Sequence, residues 1–282
     1  MSDLNRRKHM SVVMVTFNRA HLLERSLHCY LHQDLGNDLV EYIVIDDDST
    51  DHTMEVCHQW ARDLDLKYVR LRKPEGVAWR DSAALINTGI RMSRGEIIVP
   101  THPEIMVGRA TLRKMAEAIE DRMYVSAKPY FLDIEDQEQL DSVDWKGEGP
   151  LAVRRLPGFY GKPRSPSGTP EHRQERIEEA RVWDSWQVGG MTAGTWGWIG
   201  GLTEFDSWGS VDLDFLKRRN ILGIKTHTLT DEDCLCIHQN HDAPGDVQTH
   251  RDFERASADL PEYHTPQDAI RDNLWKKRYS PR

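Results

Sequence analysis

Long hydrophobic runs are missing from this chain. No stretch approaches the ~20 apolar residues that a bilayer-spanning helix needs, so no membrane span is expected. Cysteine is scarce: Cys29, Cys57, Cys234 and Cys236 are the only four. They form no paired Cys-x-x-Cys pattern, which argues against a structural zinc site or a disulfide framework and for reduced thiols. Positive charge is in deficit, 37 Lys and Arg against 46 Asp and Glu, for a net charge of -9. That balance disfavours a broad polyanion-binding surface. Residues 1–10 are polar and basic without an apolar core, so they do not read as a secretory leader and a cytoplasmic location is expected. Internal repeats and long low-complexity tracts are also missing.

What is present suits a globular α/β protein. The 282 residues are 38% hydrophobic and 29% charged, enough for one large domain or two small ones. A mean hydropathy of -0.66 implies long polar loops around the core. Ser11–Val15 is a continuous apolar run and reads as a central strand. Apolar residues at helical spacing follow over Ala20–Gln33. Leu39–Ile45 reads as the second strand, closing on Asp46-Asp47-Asp48-Ser49-Thr50-Asp51, where Ser49, Thr50 and Asp51 all suit a helix N-cap. A helix to about Leu64, a strand at Lys67–Leu71, a helix at Ser82–Met92, a strand at Gly95–Thr101 and a helix at Arg109–Arg122 continue the alternation. Strands alternating with helices predict a mostly parallel sheet with right-handed crossovers.

Three of these strands end in polar clusters: Thr16 with Asn18, Asp46 with Asp47, and His102 with Glu104. In an open α/β sheet the carboxyl ends of the strands face the ligand crevice. The stretch Gly95-Glu96-Ile97-Ile98-Val99-Pro100-Thr101-His102-Pro103-Glu104 is the centre of this pattern. It is a short buried strand stopping at an imidazole and a carboxylate two residues apart, a candidate for a metal and phosphate site.

The ordered set Val12-Val13-Met14-Val15-Thr16-Phe17-Asn18-Arg19, Val44-Ile45-Asp46-Asp47-Asp48-Ser49-Thr50-Asp51, Ala83-Ala84-Leu85-Ile86-Asn87-Thr88-Gly89-Ile90 and Gly95-Glu96-Ile97-Ile98 resembles the family 2 glycosyltransferases. The resemblance implies the GT-A fold, an α/β domain with a mostly parallel central sheet flanked by helices. It implies a nucleotide-sugar donor, a UDP-sugar, and a Mn²⁺ or Mg²⁺ ion. Thr16 and Phe17 would line the nucleoside pocket, Asp47 would accept the imide N–H of uracil, and Arg80 would meet the base or diphosphate with its planar fork. Asn18, Arg19 and Asp46 complete the implied donor-binding set. At the metal motif the family's Asp-x-Asp is His102-Pro103-Glu104 here. A mixed imidazole and carboxylate set can hold Mn²⁺, with one negative charge fewer and so a weaker or shifted metal preference.

In the second half Tyr124–Leu132 reads as a strand and Asp133–Asp144 as an acidic polar stretch. Lys146–Thr169 is a Gly-, Pro- and Arg-rich loop, and Gln174–Arg181 a short charged helix. Gly189-Gly190 through Trp198-Ile199-Gly200-Gly201, leading to Glu204-Phe205-Asp206-Ser207-Trp208-Gly209-Ser210-Val211-Asp212-Leu213-Asp214-Phe215, resembles the acceptor-side motif of the family, with close parallels in bacterial chondroitin-type polymerases and galactosyltransferases. Val211 replaces the usual Glu of that motif, and Asp212 is retained. The resemblance makes Asp212 the base that deprotonates the acceptor hydroxyl in an inverting transfer, with Asp214 orienting or capping the helix. Asp212–Arg219 reads as helix ended by Gly223, with strands at Ile224–Leu229 and Cys234–Ile237. His238 stands where the family places a late metal ligand, with His241 as the fallback. The metal set is therefore expected to be His102, Glu104 and His238. Of nine tryptophans, six (Trp145, Trp183, Trp186, Trp196, Trp198 and Trp208) crowd into the middle, either as core packing or as a stacking surface, and Trp196, Trp198 and Trp208 are the acceptor-binding candidates.

The expected organisation is a single domain: a nucleotide-sugar half at 1–132, an insertion at 133–185, an acceptor half at 186–246 and a helical tail at 247–282. Asp252–Ala258 and Pro266–Lys277 are the helices expected in that tail, and Trp275 with Lys276-Lys277-Arg278 makes a basic amphipathic end. The acceptor is left open among a glycan, a lipid-linked sugar, a small molecule, a protein and a modified nucleic acid. Two alternatives stand beside the transferase. One is a catalytically inactive nucleotide-sugar binder or scaffold on the same fold. The other is a nucleotidyltransferase, which needs a Gly-rich loop after the first strand that Thr16-Phe17-Asn18-Arg19 does not supply.

Overall fold

The computed structural model describes residues 10–73, 75, 80–132, 134–140, 142, 144, 146, 149–151, 188–204, 211–241 and 263–270. Chain order begins β1 (Met10–Thr16), α1 (Ala20–Leu31), β2 (Val40–Asp46), α2 (Thr53–Trp60), β3 (Leu66–Arg70), α3 (Ser82–Met92) and β4 (Ile97–Thr101). It continues with β5 (Ile105–Val107), α4 (Thr111–Ala118), β6 (Met123–Ala127), β7 (Pro129–Phe131), α5 (Ile134–Leu140), β8 (Gly189–Thr192) and α6 (Ala193–Ile199). The last elements are α7 (Val211–Ile221), β9 (Lys225–Leu229), β10 (Cys236–His238) and α8 (Pro266–Ala269).

Seven strands form the main sheet in the order β3-β2-β1-β4-β8-β6-β9. β1 pairs in parallel with β2 and β4, β2 with β3, and β6 with β9; β8 alone runs antiparallel to its neighbours β4 and β6. This is the mostly parallel α/β sheet expected from the alternating pattern. The continuous apolar runs are explained by burial on both faces. Successive side chains of β1 point to opposite sides, so Val12 and Met14 join one core cluster with Leu23 and Leu27 of α1. Val13 and Val15 join the other with Ile86 and Ile90 of α3. α3 rides close to the sheet at Gly89, where an added Cβ would lie 2.2 Å from Val13 Cγ1.

Three expectations are corrected. Tyr124–Leu132 is not one strand. Met123–Ala127 pairs in the main sheet, and Pro129–Phe131 leaves it for a second, three-stranded sheet of order β5-β10-β7. Proline has no N–H to continue the ladder, and it stands at the switch. The C-terminal strand begins later than expected: Cys234 closes a 3₁₀ turn over Glu232–Cys234 and only Cys236 lies in β10. The helix expected over Arg109–Arg122 is shorter, Thr111–Ala118, stopped where Ile119 turns extended. Part of the acidic stretch forms α5. The expected helices at Gln174–Arg181 and Asp252–Ala258, most of the Lys146–Thr169 loop and the basic end at 275–278 lie outside the described residues. Of the expected 266–277 helix only α8 is described, opened by a capping box between Thr265 and Asp268. Among the described residues no helix is long and apolar enough to cross a membrane.

Candidate active site

The carboxyl ends of β1 and β2 lie side by side, Thr16 opposite Asp46. Several expected donor residues are used here to hold loops together. Asn18 takes a left-handed conformation with φ 52°, which its short amide side chain tolerates. Its Oδ1 accepts from the backbone N–H groups of Thr50 at 2.7 Å and Asp51 at 3.3 Å. Asp46 accepts from Ser49 N–H at 3.0 Å and from the Tyr68 hydroxyl at 2.5 Å. Asp51, expected as a cap, accepts from Ala20 N–H at 3.0 Å and Thr53 N–H at 3.1 Å, pinning the starts of α1 and α2 together. Arg19 contributes its carbonyl to the first turn of α1.

Thr16, Phe17 and Asp47 remain to line the crevice. Thr16 Oγ1 and Asp47 Oδ1 are buried with no hydrogen-bond partner among the described residues. Unpaired buried polar atoms are costly, so a ligand edge that satisfies both fits this corner. Two cations bracket Asp47: Lys73 Nζ lies 3.1 Å from Oδ2 and Arg80 Nε 3.3 Å from Oδ1. The Arg80 contact is an ion pair whose direction does not make a hydrogen bond; its Nη2 donates to the carbonyls of Leu71 and Arg72 at 3.3 and 2.8 Å. Lys73 Nζ also sits 3.4 Å from the centroid of the Phe17 ring. Burial raises the Asp47 carboxyl above its ordinary value, against the pull of both cations. Lys73 carried no recognisable signal in the sequence.

The second cluster is built by the small sheet. Glu104 stands one residue before β5, and His238 ends β10, paired antiparallel to it. The Nε2 atoms of His238 and His241 lie 3.8 and 3.7 Å from Glu104 Oε1. One ligand atom from each of these three residues falls within 4.8 Å of the others. His238 Nδ1 is 2.8 Å from the Gln239 carbonyl. A carbonyl only accepts, so Nδ1 carries the proton and Nε2 presents its lone pair to Glu104. Burial pushes the His238 imidazole down to about 4. Burial acts to raise the Glu104 carboxyl too, yet the surrounding imidazoles hold it well below the usual carboxylate range. One carboxylate and a bare imidazole nitrogen at this spacing suit a first-row divalent ion, whose bonds are about 2.1 Å.

The loop carrying Glu104 is fixed from behind. Ser26 Oγ of α1 lies 2.6 and 2.7 Å from the carbonyls of Pro103 and Ile105. Gln239 is fully buried and donates through Nε2 to the carbonyls of Leu22 at 3.1 Å and Glu104 at 3.3 Å. Its bracket role had no sequence signal beyond lying next to His238.

His102 lies outside the three-residue group of ligand atoms. Burial lowers its imidazole, and Glu104 and Asp212 act on it in the opposite sense. It thus stands in the field of both the metal-type cluster and Asp212. Asp212 lies in the first turn of α7, its Oδ1 accepting from Leu213 N–H at 2.9 Å. Burial raises its carboxyl, with His102 opposing. A half-buried carboxylate with a raised affinity for protons has the character of a general base. Asp214 is buried and accepts from the Tyr263 hydroxyl at 2.5 Å.

The tryptophans require a correction. Trp196 is 0% exposed, stacks on Phe215 at 5.5 Å and donates its indole N–H to the Ile98 carbonyl. It is core and offers no face to an acceptor. Trp198 packs on the guanidinium of Arg122 at 4.5 Å. Arg122 immediately precedes β6, which places Trp198 at the amino-terminal edge of the sheet, away from the strand ends that carry Thr16, Asp47 and Glu104. Trp208 lies outside the described residues.

The sequence of residues 11–164, more than half of the chain, matches the model of the family described as glycosyl transferase family 2. The chain belongs to that family. This family 2 chain is 30% identical to chondroitin synthase of Pasteurella multocida over 98 residues, 35% of its own length and 10% of the relative. Its fold is similar to that of a mannosyltransferase from Pyrobaculum calidifontis solved in complex with GDP-Man and Mn²⁺, with TM-score 0.57 and 21% identity, covering 86% of this chain and 60% of that one. It is likewise similar to Staphylococcus aureus TarS 1-349 in complex with UDP-GlcNAc, with TM-score 0.57 and 16% identity over 83% of this chain and 59% of that one. The family 2 chain therefore spans a small part of that curated relative and about three fifths of the solved chains.

Proposed function

We propose that this chain is a nucleotide-sugar glycosyltransferase that uses a UDP-sugar, needs a divalent cation and inverts the anomeric centre. The observation that carries the reading is the meeting of Glu104, His238 and His241 just after the chain leaves β4, a strand paired with β1, with Asp212 in the field of His102. Thr16, Phe17 and Asp47 seat the base, and Arg80 orients Asp47. Glu104, His238 and His241 would hold the cation, and His102 lies in the field of both Glu104 and Asp212. When bound, the cation neutralises the charge that develops on the diphosphate leaving group. Asp212 accepts the proton of the acceptor hydroxyl as that oxygen forms its bond to the anomeric carbon and the bond to the diphosphate breaks. A set with two imidazoles favours Mn²⁺ over Mg²⁺, which prefers all-oxygen ligands. In this reading residues 1–132 supply the donor pocket and residues 186–246 the base and the late histidines.

Thermal unfolding with UDP, with and without Mn²⁺, tests the reading, because a ligand of the native state raises the midpoint by mass action. The expected result is a UDP-dependent rise that grows with Mn²⁺ and loses the Mn²⁺ increment in Glu104→Ala. A rise that ignores Mn²⁺ defeats the metal assignment. No response to any nucleoside diphosphate defeats the transferase reading.

A further inference from the structure

The proposal concerns Lys73, and it rests on the donor-site reading above. Asp47 is 4% exposed, and its two oxygens face Lys73 Nζ at 3.1 Å and Arg80 Nε at 3.3 Å. Among the described residues Oδ1 has no hydrogen bond, and neither has the buried hydroxyl of Thr16, the residue whose carbonyl accepts from Asp47 N–H at 2.9 Å. The side chains of Lys73 and Arg80 are each only 11% exposed. The corner therefore displays an acceptor flanked by two cationic donors, with Phe17 as its wall.

The edges of the nucleobases differ in how they meet such an array. Uracil presents a carbonyl, an N–H and a second carbonyl. Guanine presents a carbonyl, an N–H and an amino group. Cytosine and adenine present a ring-nitrogen acceptor in the middle position. A carboxylate repels that ring nitrogen, so Asp47 alone rejects cytosine and adenine. It does not reject guanine, whose adjacent N–H and amino group can both point at the two oxygens of a free carboxylate. A second cation changes this: in either orientation the guanine amino group then faces a positive donor instead of an acceptor.

We propose that Lys73 is the specificity residue that makes this site read uracil rather than guanine, by occupying Asp47 Oδ2 and offering its ammonium to a uracil carbonyl. Lys73 keeps its stem against Phe17 and shifts its head from the ring face to the base edge as the base enters. Removing the ammonium frees Oδ2 for a guanine amino group and costs uracil a charge-assisted hydrogen bond. The two affinities then move in opposite directions.

Isothermal titration of the full chain with UDP and GDP, in saturating Mn²⁺, tests this on wild type, Lys73→Met and Lys73→Arg. Lys73→Met keeps the apolar stem and is expected to weaken UDP, tighten GDP and shrink the UDP:GDP preference by about tenfold or more. Lys73→Arg retains a donor and is expected to keep the preference. It also serves as the comparison if Lys73→Met shows no cooperative unfolding, in which case a Lys73→Arg preference for GDP overturns the proposal. Three outcomes overturn it with wild type binding UDP: an unchanged ratio in Lys73→Met, equal weakening of both nucleotides, or tighter binding of both. The last would make Lys73 a plug on the Phe17 ring. A wild type that binds no nucleoside diphosphate overturns the donor-site reading itself, and with it this one.

Discussion

At the scale of single residues, neighbouring carboxylates of one type have different work because their neighbours differ. Asp46 has its oxygens taken by Ser49 and Tyr68, so it ties the loop after β2 to strand β3. Asp47, one position on, keeps an oxygen without a hydrogen bond among the described residues. Asp212 and Asp214 differ in their partners as well: buried Asp214 accepts from the Tyr263 hydroxyl through Oδ1, while half-buried Asp212 accepts from Leu213 N–H and lies in the field of His102. Asp212→Asn retains the shape of the side chain and loses the proton acceptor. It should lower kcat by about 10²–10⁴-fold while UDP affinity, read by titration, stays near wild type. An Asp212→Asn enzyme with undiminished turnover would remove Asp212 from the reaction. His241 shows the same dependence on neighbours. As a sequence position it is one of several late histidines, and it gains meaning only because its Nε2 comes within 3.7 Å of Glu104.

At the scale of elements, β2 carries a buried carboxylate that the apolar pattern of a central strand does not predict. Glu41 is 2% exposed and accepts from Ser11 Oγ at 2.6 Å and from the Arg94 guanidinium at 2.8 Å. Burial alone raises its carboxyl, and these hydrogen bonds outweigh burial, leaving the carboxyl below its ordinary value. A carboxyl depressed in the folded state contributes stability that is complete above its unfolded value, about 4.3. That contribution is lost as pH falls from there through the folded value. Glu41→Gln should therefore cost about 1–2 kcal/mol at pH 7 and show a shallower loss of stability between pH 5 and 3 than wild type, measured by urea unfolding across pH. Parallel pH profiles for the two proteins would contradict the assignment. The strand–helix alternation up to β4 was legible because each element there is local, with its own apolar period and its own polar stop. The small sheet was not legible. Its strands are only three residues long, too short to carry a period, and they join segments separated by more than a hundred residues.

At the scale of the whole molecule, segments far apart in the sequence are joined by buried polar groups as well as by sheet pairing and a shared apolar cluster. Asn87 of α3 exchanges hydrogen bonds of 2.9 Å with both backbone groups of Leu202. Arg218 of α7 is fully buried and donates to the carbonyls of Gly201 at 2.7 Å, Ala269 at 2.8 Å and Ile199. It thereby binds the loop after α6 and the segment around α8 to the helix that presents Asp212. Arg218→Met fills much of the volume and leaves those carbonyls unpaired. A loss of about 3 kcal/mol or more is expected in denaturant unfolding, with a lower kcat and little change in UDP affinity, since the proposed donor pocket lies at the ends of β1 and β2. Unaltered stability would show that the network is dispensable.

The sequence by itself determined the α/β class, the strand ends that carry polar groups, and the family resemblance, because these depend on residues close together in the chain. It also marked Glu104, His238 and Asp212 one at a time. Only the tertiary structure decided which atoms meet. It drew His241 beside Glu104 and set Lys73 on Asp47. It sank Trp196 into the core and carried Trp198 to the far edge of the sheet. These outcomes turn on strand order, on the reversal at β8 and on the Pro129 switch between sheets. Non-local pairing is settled by the packing of the assembled core, and no local pattern of residues encodes it.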